Sequence, residues 1–472
     1  MRILRSVTST LYRHGFVHSS ADPFAEAVLV DGGTVAWLGA DDTADGLVDR
    51  ADEVVDLDGA LVTPGFVDTH VDLLAVGLDL ATTNPGTVPD DPLDDDARLA
   101  AYRRALAHAA AHGVVVVHEM ACPGRRAGSV SQPKACRRVA HDTQTALRTL
   151  LETTADPASA LPLVVGYWGG WCDDSALADL LSEVPGLAGV WAVTDGPLDA
   201  HGAWLRAPYA DTPQTPVEKP PTCADADRVA THVVAATRSG VQASLWVVGD
   251  AALDEVLRGV RTAADLLGTP AVAGGRHRVE HIGLADPQAL ADMAALGLSA
   301  SVHPAWEAAL GDLAAARVGD QAANVYPLAD LARAGVPTGF GSAGPVMPLP
   351  RDPSATAAPL DPWVGVRAAF AHHQPGQRVS ARAAFRSATR GGWRLTGSDA
   401  DGSGELRVGA PAHLAVWRAD ELVVQAADGR FSAWSTDARA GTPVLPSLAP
   451  DAAPPVCLRT VRSGITLYDT FG

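Results

Sequence analysis

LVTPGFVDTHVD, residues 61–72, decides the fold. It is a short apolar run of β type that stops on His70-Val71-Asp72, where polar groups with metal-binding chemistry replace the hydrophobic ones. Seven further runs of the same texture follow it. They are GVVVVHE ending at Glu119, LPLVVGYWG ending at Gly169, AGVWAVT ending at Thr194, QASLWVVG ending at Gly249, RHRVEHI ending at Ile282, LSASVHP ending at Pro304 and PTGFGSA ending at Ala343. Segments of helical period lie between several of them, such as DDDARLAAYRRALAHAAAHG, AALDEVLRGVRTAADLLG and DPQALADMAALG. The last of these has Asp286 as N-cap and Pro287 at the first helical position. Eight strand and helix alternations predict an α/β fold, a (β/α)8 TIM-like barrel over residues 61–400. An open doubly wound sheet is the alternative, but no GxGxxG or Walker loop supports it.

Outside the barrel the pattern is that of hairpins. AEAVLV and TVAWLG in residues 1–60, and ELRVG, HLAVW and GITLYD in residues 401–472, are short runs bounded by Gly, Pro and Asp, and predict a small β-sandwich built from both ends of the chain. Two irregular stretches rich in Pro, Asp, Thr and Ala, 80–95 and 344–362, each follow a strand end. They are expected either as lids over the barrel mouth or as plain surface loops.

The chain has 472 residues, and 36 Lys and Arg against 55 Asp and Glu give a net charge of −19, a field that repels nucleic acid and anionic membranes. Lys134 and Lys219 are the only lysines. Five cysteines without a CxxC pair read as mostly free thiols in a reducing compartment, and no signal peptide or membrane span is evident, so a cytoplasmic protein is expected.

In a barrel, chemistry sits where the strands end. His70 and Asp72, at i and i+2, point to the same side of an extended chain and suit a divalent cation. The other ends supply His118 and Glu119, Glu280 and His281, and His303. Trp168, Trp171, Trp191, Trp246 and Trp306 fall at or just beyond strand ends, where they can line one pocket for a planar or cationic ligand.

PGFVDTHVD at 64–72, GVVVVHE at 113–119, VVGDAALD at 247–254, RHRVEH at 276–281 and SVHP at 301–304 resemble the amidohydrolase superfamily, in particular its subgroup similar to N-substituted formamide deformylases. GFGSAGPV at 339–346 and ELRVGAPAHLAVW at 405–417 extend the likeness to the last strand and the returning β domain. The resemblance implies hydrolysis of amide-type carbon–nitrogen bonds by a metal-bound hydroxide. It also implies ligands that this chain replaces. Asp72 stands for the second His of a His-x-His motif, Trp191 for a bridging lysine, Trp246 for a His and Ala343 for the Asp that is both ligand and base, while His281 is kept.

Three readings follow. One is a hydrolase with a rebuilt centre for a single zinc-like ion, held by His70, Asp72 and His281, with Glu119 or His303 as base and a two-metal centre excluded. The second is a metal-free binding protein whose mouth is lined by Trp168, Trp191, Trp246 and Trp306. The third is metal-free acid–base chemistry by His281, His303 and Glu119, with a thiol among Cys122, Cys172 and Cys223 as a lesser variant. A small molecule is the expected partner in each, and the resemblance implies a homodimer.

Overall fold

The computed structural model describes residues 9–82, 93–123, 142–213, 219–220, 223–344, 360–425, 434–435 and 443–471. Most of the 80–95 and 344–362 stretches, together with Lys134 and Cys136, lie outside these residues.

Eight parallel strands run in single file: β1 (Phe66–Val71), β2 (Val114–Ala121), β3 (Leu163–Gly169), β4 (Gly189–Val193), β5 (Gln242–Val247), β6 (Arg278–His281), β7 (Ser299–Val302) and β8 (Thr338–Phe340). The order has no crossover, which disposes of the doubly wound alternative. The two end strands also meet. Ala343 N donates to His70 O at 2.9 Å, Ser342 N donates to Asp68 Oδ1 at 3.0 Å, and a Cβ on Gly341 would stand 2.7 Å from His70 Cβ, so only glycine permits this approach.

The strands form because their residues suit burial on both faces. Val114–Ala121 is β-branched over its first half and buried throughout, as expected where helices cover one side and the barrel interior the other. Several of the helices start on side-chain caps: Asp94, Thr143, Asp173, Asp225 and Asp286 each accept from the backbone N–H three residues on. Their apolar faces and the outward faces of the strands make one continuous core.

The ends of the chain form the expected β domain. Ser9–Arg13, Ala27–Asp31, Thr34–Gly39 and Glu53–Asp56 make one sheet, while Leu61–Pro64 and Leu414–Arg418 pair antiparallel in a second one with Val456–Arg462 and Ile465–Asp469. A shared core that includes Tyr12, Val28, Val62, Leu414 and Val461 lies between them. ELRVG is not a strand: Gly404 and Gly409, at φ +83° and +85°, bend the chain there. At the barrel's lower rim Trp417 donates from Nε1 to Thr63 Oγ1 at 3.0 Å and packs edge-on against Phe66, which ties the β domain to β1.

Candidate functional site

Strand periodicity places Arg278 and Glu280 on the same face of β6, and both are wholly buried. A guanidinium cannot shed its charge, so this interior requires partners for it. Arg278 Nε donates to Glu280 Oε1, Nη1 to His118 Nδ1 at 2.8 Å and to the Tyr167 hydroxyl at 3.1 Å, and Nη2 to Thr69 O at 2.5 Å. Glu280 Oε1 also accepts from Ser244 Oγ at 2.7 Å, and Oε2 accepts from His70 Nδ1 at 2.8 Å. Burial would raise the Glu280 carboxyl, but Arg278 and His70 outweigh it and hold the group well below the usual carboxylate range. The result is a saturated floor that fixes one nitrogen of His70.

Above this floor the balance reverses. His281 closes β6 at φ +73°, followed by Ile282 at +54°, and Ala343 beyond β8 stands at +58°. Side-chain-bearing residues rarely adopt such values, and they gather where a site imposes them. The turn at His281 breaks the strand alternation and carries its imidazole to the mouth. It stacks there on Trp246, with centroids 4.7 Å apart and planes within 7°, and Trp246 in turn stacks on His303 at 5.5 Å. His70 lies 4.8 Å from His303 and 5.3 Å from Trp246. Burial and the neighbouring imidazole of His70 lower His281 to about 3, and burial with His70 and His281 pushes His303 far down, so both are neutral at pH 7. His281 Nδ1, His303 Nε2 and Trp306 Nε1 are buried without a hydrogen-bond partner.

Several expected site residues land elsewhere. Asp72 caps the helix Leu73–Asp79, accepting from Ala75 N at 2.8 Å. Glu119 follows His118 on β2 and so faces away from the axis, where Oε2 accepts from Leu73 N at 2.7 Å. Burial, then Asp142 and Asp72, raises its carboxyl well above the ordinary range. Trp168 packs into the core between strands and helices. Trp171 is edge-on to His232 and under the Arg228 guanidinium. Trp191 faces inward, but its Nε1 donates to Ala121 O at 3.0 Å. Lys219 pairs with Asp225 at 3.7 Å. Burial raises Cys172 to about 11 and Cys223 to about 12, which leaves both as unreactive thiols, and Cys122 is buried.

Of the residues expected at the mouth, the structure therefore gathers His70, His281, His303, Trp246 and Trp306. Glu280, expected beside His281 at the same strand end, lies just below them, and the structure adds Arg278 and Tyr326, the last 5.5 Å from His281. The i, i+2 spacing of Arg278 and Glu280 was a readable sign of a shared inward face, whereas nothing local marks Tyr326. Glu307 is a further addition: it accepts from His303 N at 2.9 Å, four residues back, and burial raises its carboxyl to about 8.

The donor set limits any metal. Trp191, Trp246 and Ala343 offer no ligand atoms for a second ion. Among the described residues, His70, Glu280 and His303 bring ligand atoms within 4.8 Å of one another. His70 donates one N–H to the Glu280 carboxylate, as metal-bound imidazoles do, and His303 has an unpartnered nitrogen, so these two rings suit a single ion, while both oxygens of Glu280 already accept hydrogen bonds. Asp72 and His281 are not members of it.

Comparison with known proteins agrees with this architecture. A model of the amidohydrolase family matches residues 82–464. An uncharacterized metal-dependent hydrolase from Pyrococcus furiosus superposes with a TM-score of 0.66 at 20% identity, covering 86% of this chain and 98% of that one. Triazine hydrolase from Arthobacter aurescens gives 0.59 at 17%, over 98% and 95%, and A. niger ochratoxinase 0.57 at 14%, over 98% and 96%. At these identities the likeness is one of fold. Protein LONG AFTER FAR-RED 3 of Arabidopsis thaliana is 33% identical over 66 residues, which span 14% of this chain and 11% of that protein.

Proposed function

The chain belongs to the amidohydrolase family, and from that premise we propose that it hydrolyses non-peptide carbon–nitrogen bonds, of amide or N-formyl type, in a small substrate bound at the barrel mouth. The observation that carries this reading is the convergence of His70, Glu280 and His303 at three strand ends, with a free ring nitrogen on His303. His70 and His303 would hold one divalent ion, and Glu280 would orient His70. Such an ion lowers the pKa of bound water to about 7. The protein's own part is to fix His70 through the Arg278–Glu280 floor, to keep His303 and His281 neutral by burial, and to seat the substrate beneath Trp306. Cys172, Cys223 and Cys457 are free thiols, which favours a reducing compartment, and no helix among the described residues is long and apolar enough to cross a membrane.

The test is release of amine from N-formyl and N-acyl amines by the zinc-loaded protein. Turnover is expected, with a loss of at least about a hundredfold in His303→Gln. Absence of turnover across the series overturns the reading.

A second reading, metal-free binding, is favoured by one feature: Trp306 and Leu310 pack on Ala343, where the resemblance implies a carboxylate. Ligand binding that survives a chelator, without turnover, would support it instead.

A further inference from the structure

The groups that would meet a substrate are shut away. Glu280 and His303 are wholly buried, His70 and His281 are each 3% exposed, and the unpartnered nitrogens of His281 and Trp306 are buried with them. One cleft leads toward these groups. Its walls are Trp306, Leu310 and Leu313 on the helix Pro304–Val318 and Pro197, Leu198 and Asp199 on the chain beyond β4, with His281 between them. The seam has room for about one water molecule, so an organic substrate enters by this route only if one wall moves.

The chain beyond β4 is free to move over a short span only. Asp195 ties down both sides of that span: Oδ2 accepts from Trp204 N at 3.0 Å and from Gly249 N at 2.8 Å, and Oδ1 accepts from Val248 N at 2.9 Å. Trp204 O in turn accepts from Ala251 N at 3.2 Å, at the start of the helix Asp250–Leu267. Between these fixed points the chain leaves and returns through two facing glycines. Gly196 N donates to Gly202 O at 2.9 Å, and a Cβ on either glycine would crowd the backbone of the other at 3.0 or 3.1 Å. Residues 197–201 project beyond this neck. Leu198 is buried in a small cluster with Ala314 and Tyr326, apart from the main core, and His201 stands at φ +52°, which side-chain-bearing residues seldom adopt. Arg317 fastens the projection to the opposite wall. It donates from Nη2 to Asp199 O at 2.9 Å and pairs with Asp211, whose carboxylate also lies 3.1 Å from His201 Nε2. Asp211 and His201 are partly exposed, so water competes for this clasp.

We propose that residues 197–201 are a flap that opens on the neck formed by Gly196 and Gly202 and admits the substrate past His281, with Arg317 as its clasp. Opening exposes one leucine and hydrates the nitrogens of His281 and Trp306, two changes of opposite sign, which keeps the open form accessible as a minor state. The proposal rests on the hydrolase reading only in placing a small molecule at the mouth, and access is measured apart from turnover.

The probe is diethyl pyrocarbonate, which acylates neutral imidazole, applied at constant pH to the full-length protein, with each modified histidine quantified by peptide mass spectrometry. His281 is the reporter, exposed His14 the open reference, and His232 and His277, buried outside the cleft, are the controls for general loosening. In the parent, His281 is expected to react at least about tenfold more slowly than His14. Arg317→Met should raise the His281 rate about three- to tenfold, and Asp211→Asn, at the more exposed partner, by less, with His232 and His277 unchanged. Asp211→Asn decides the matter if Arg317→Met does not fold. Reaction of His281 as fast as His14 in the parent, a rate unmoved by the variants, or a rise that His232 and His277 share would each overturn the flap. Gated access without amine release from any N-formyl or N-acyl amine would leave the flap standing and remove the hydrolase reading. Amine release with His281 freely reactive would do the reverse.

Discussion

The floor of the barrel and its mouth are separated by a single turn of chain, from Glu280 to Ile282, yet they treat polar groups in opposite ways. Below, each of the three guanidinium nitrogens of Arg278 and both oxygens of Glu280 have partners. Above, His281, His303 and Trp306 each keep a buried nitrogen unpaired. The first arrangement is what a fold needs to tolerate charge in its interior. The second is costly unless something else arrives to satisfy it. Around the end of one strand, polar groups that the fold itself satisfies thus lie next to groups that it leaves open.

Substitutions can break that distinction. Arg278→Met leaves Glu280 buried without its guanidinium partner, and should destabilise the protein by about 3–5 kcal/mol in denaturant unfolding. Removing both partners in Arg278→Met/Glu280→Leu should recover part of that loss, since the charge that suffers is then gone. If the single variant is as stable as the parent, the floor is not a structural device.

Acid supplies the next test. Burial lowers His18, His232, His277 and His413 to about 4 each, well under the free value of 6.5. His277 shows why: its Nδ1 accepts from Ala243 N at 2.9 Å and must stay unprotonated. The unfolded chain therefore binds more protons than the native one between these values. These four groups should pull stability down as pH drops from 6.5 toward 4, by up to about 1.4 kcal/mol per pH unit for each, against the opposite pull of the raised carboxyls of Glu119 and Glu307. Stability should therefore fall less steeply in His277→Gln than in the parent over that window, and an unchanged slope in this variant's unfolding midpoint would contradict the neutral assignment.

At the start of the helix Leu73–Asp79, just beyond β1, the same operation should do little to the fold. Asp72→Ala removes a helix cap and is expected to cost about 1 kcal/mol without changing ion binding, although its position beside His70 suggests a ligand. Loss of bound ion in this variant would restore Asp72 to the metal group.

The sequence made the barrel legible because eight apolar runs ended in turns and polar residues, a pattern that needs no knowledge of side-chain direction. Direction is where the site was harder to read. Whether Glu119 or His118 faces the axis depends on register at β2, and a shift of one residue exchanges them. His281 reaches the mouth only because its backbone leaves the strand at a positive φ, which periodicity does not encode. Trp168 stands at a strand end like Trp191 but belongs to the opposite face. Tyr326 and Glu307 come from segments outside the strands and are brought in by packing alone.

The measurement that bears most directly on the account is the metal content of the purified protein and of His303→Gln, after zinc supplementation and removal of excess. About one ion per chain is expected in the parent and none in the variant, with the two differing by less than about 1 kcal/mol in stability once a chelator has stripped the parent. A parent without metal, or a variant that keeps its ion, would contradict it.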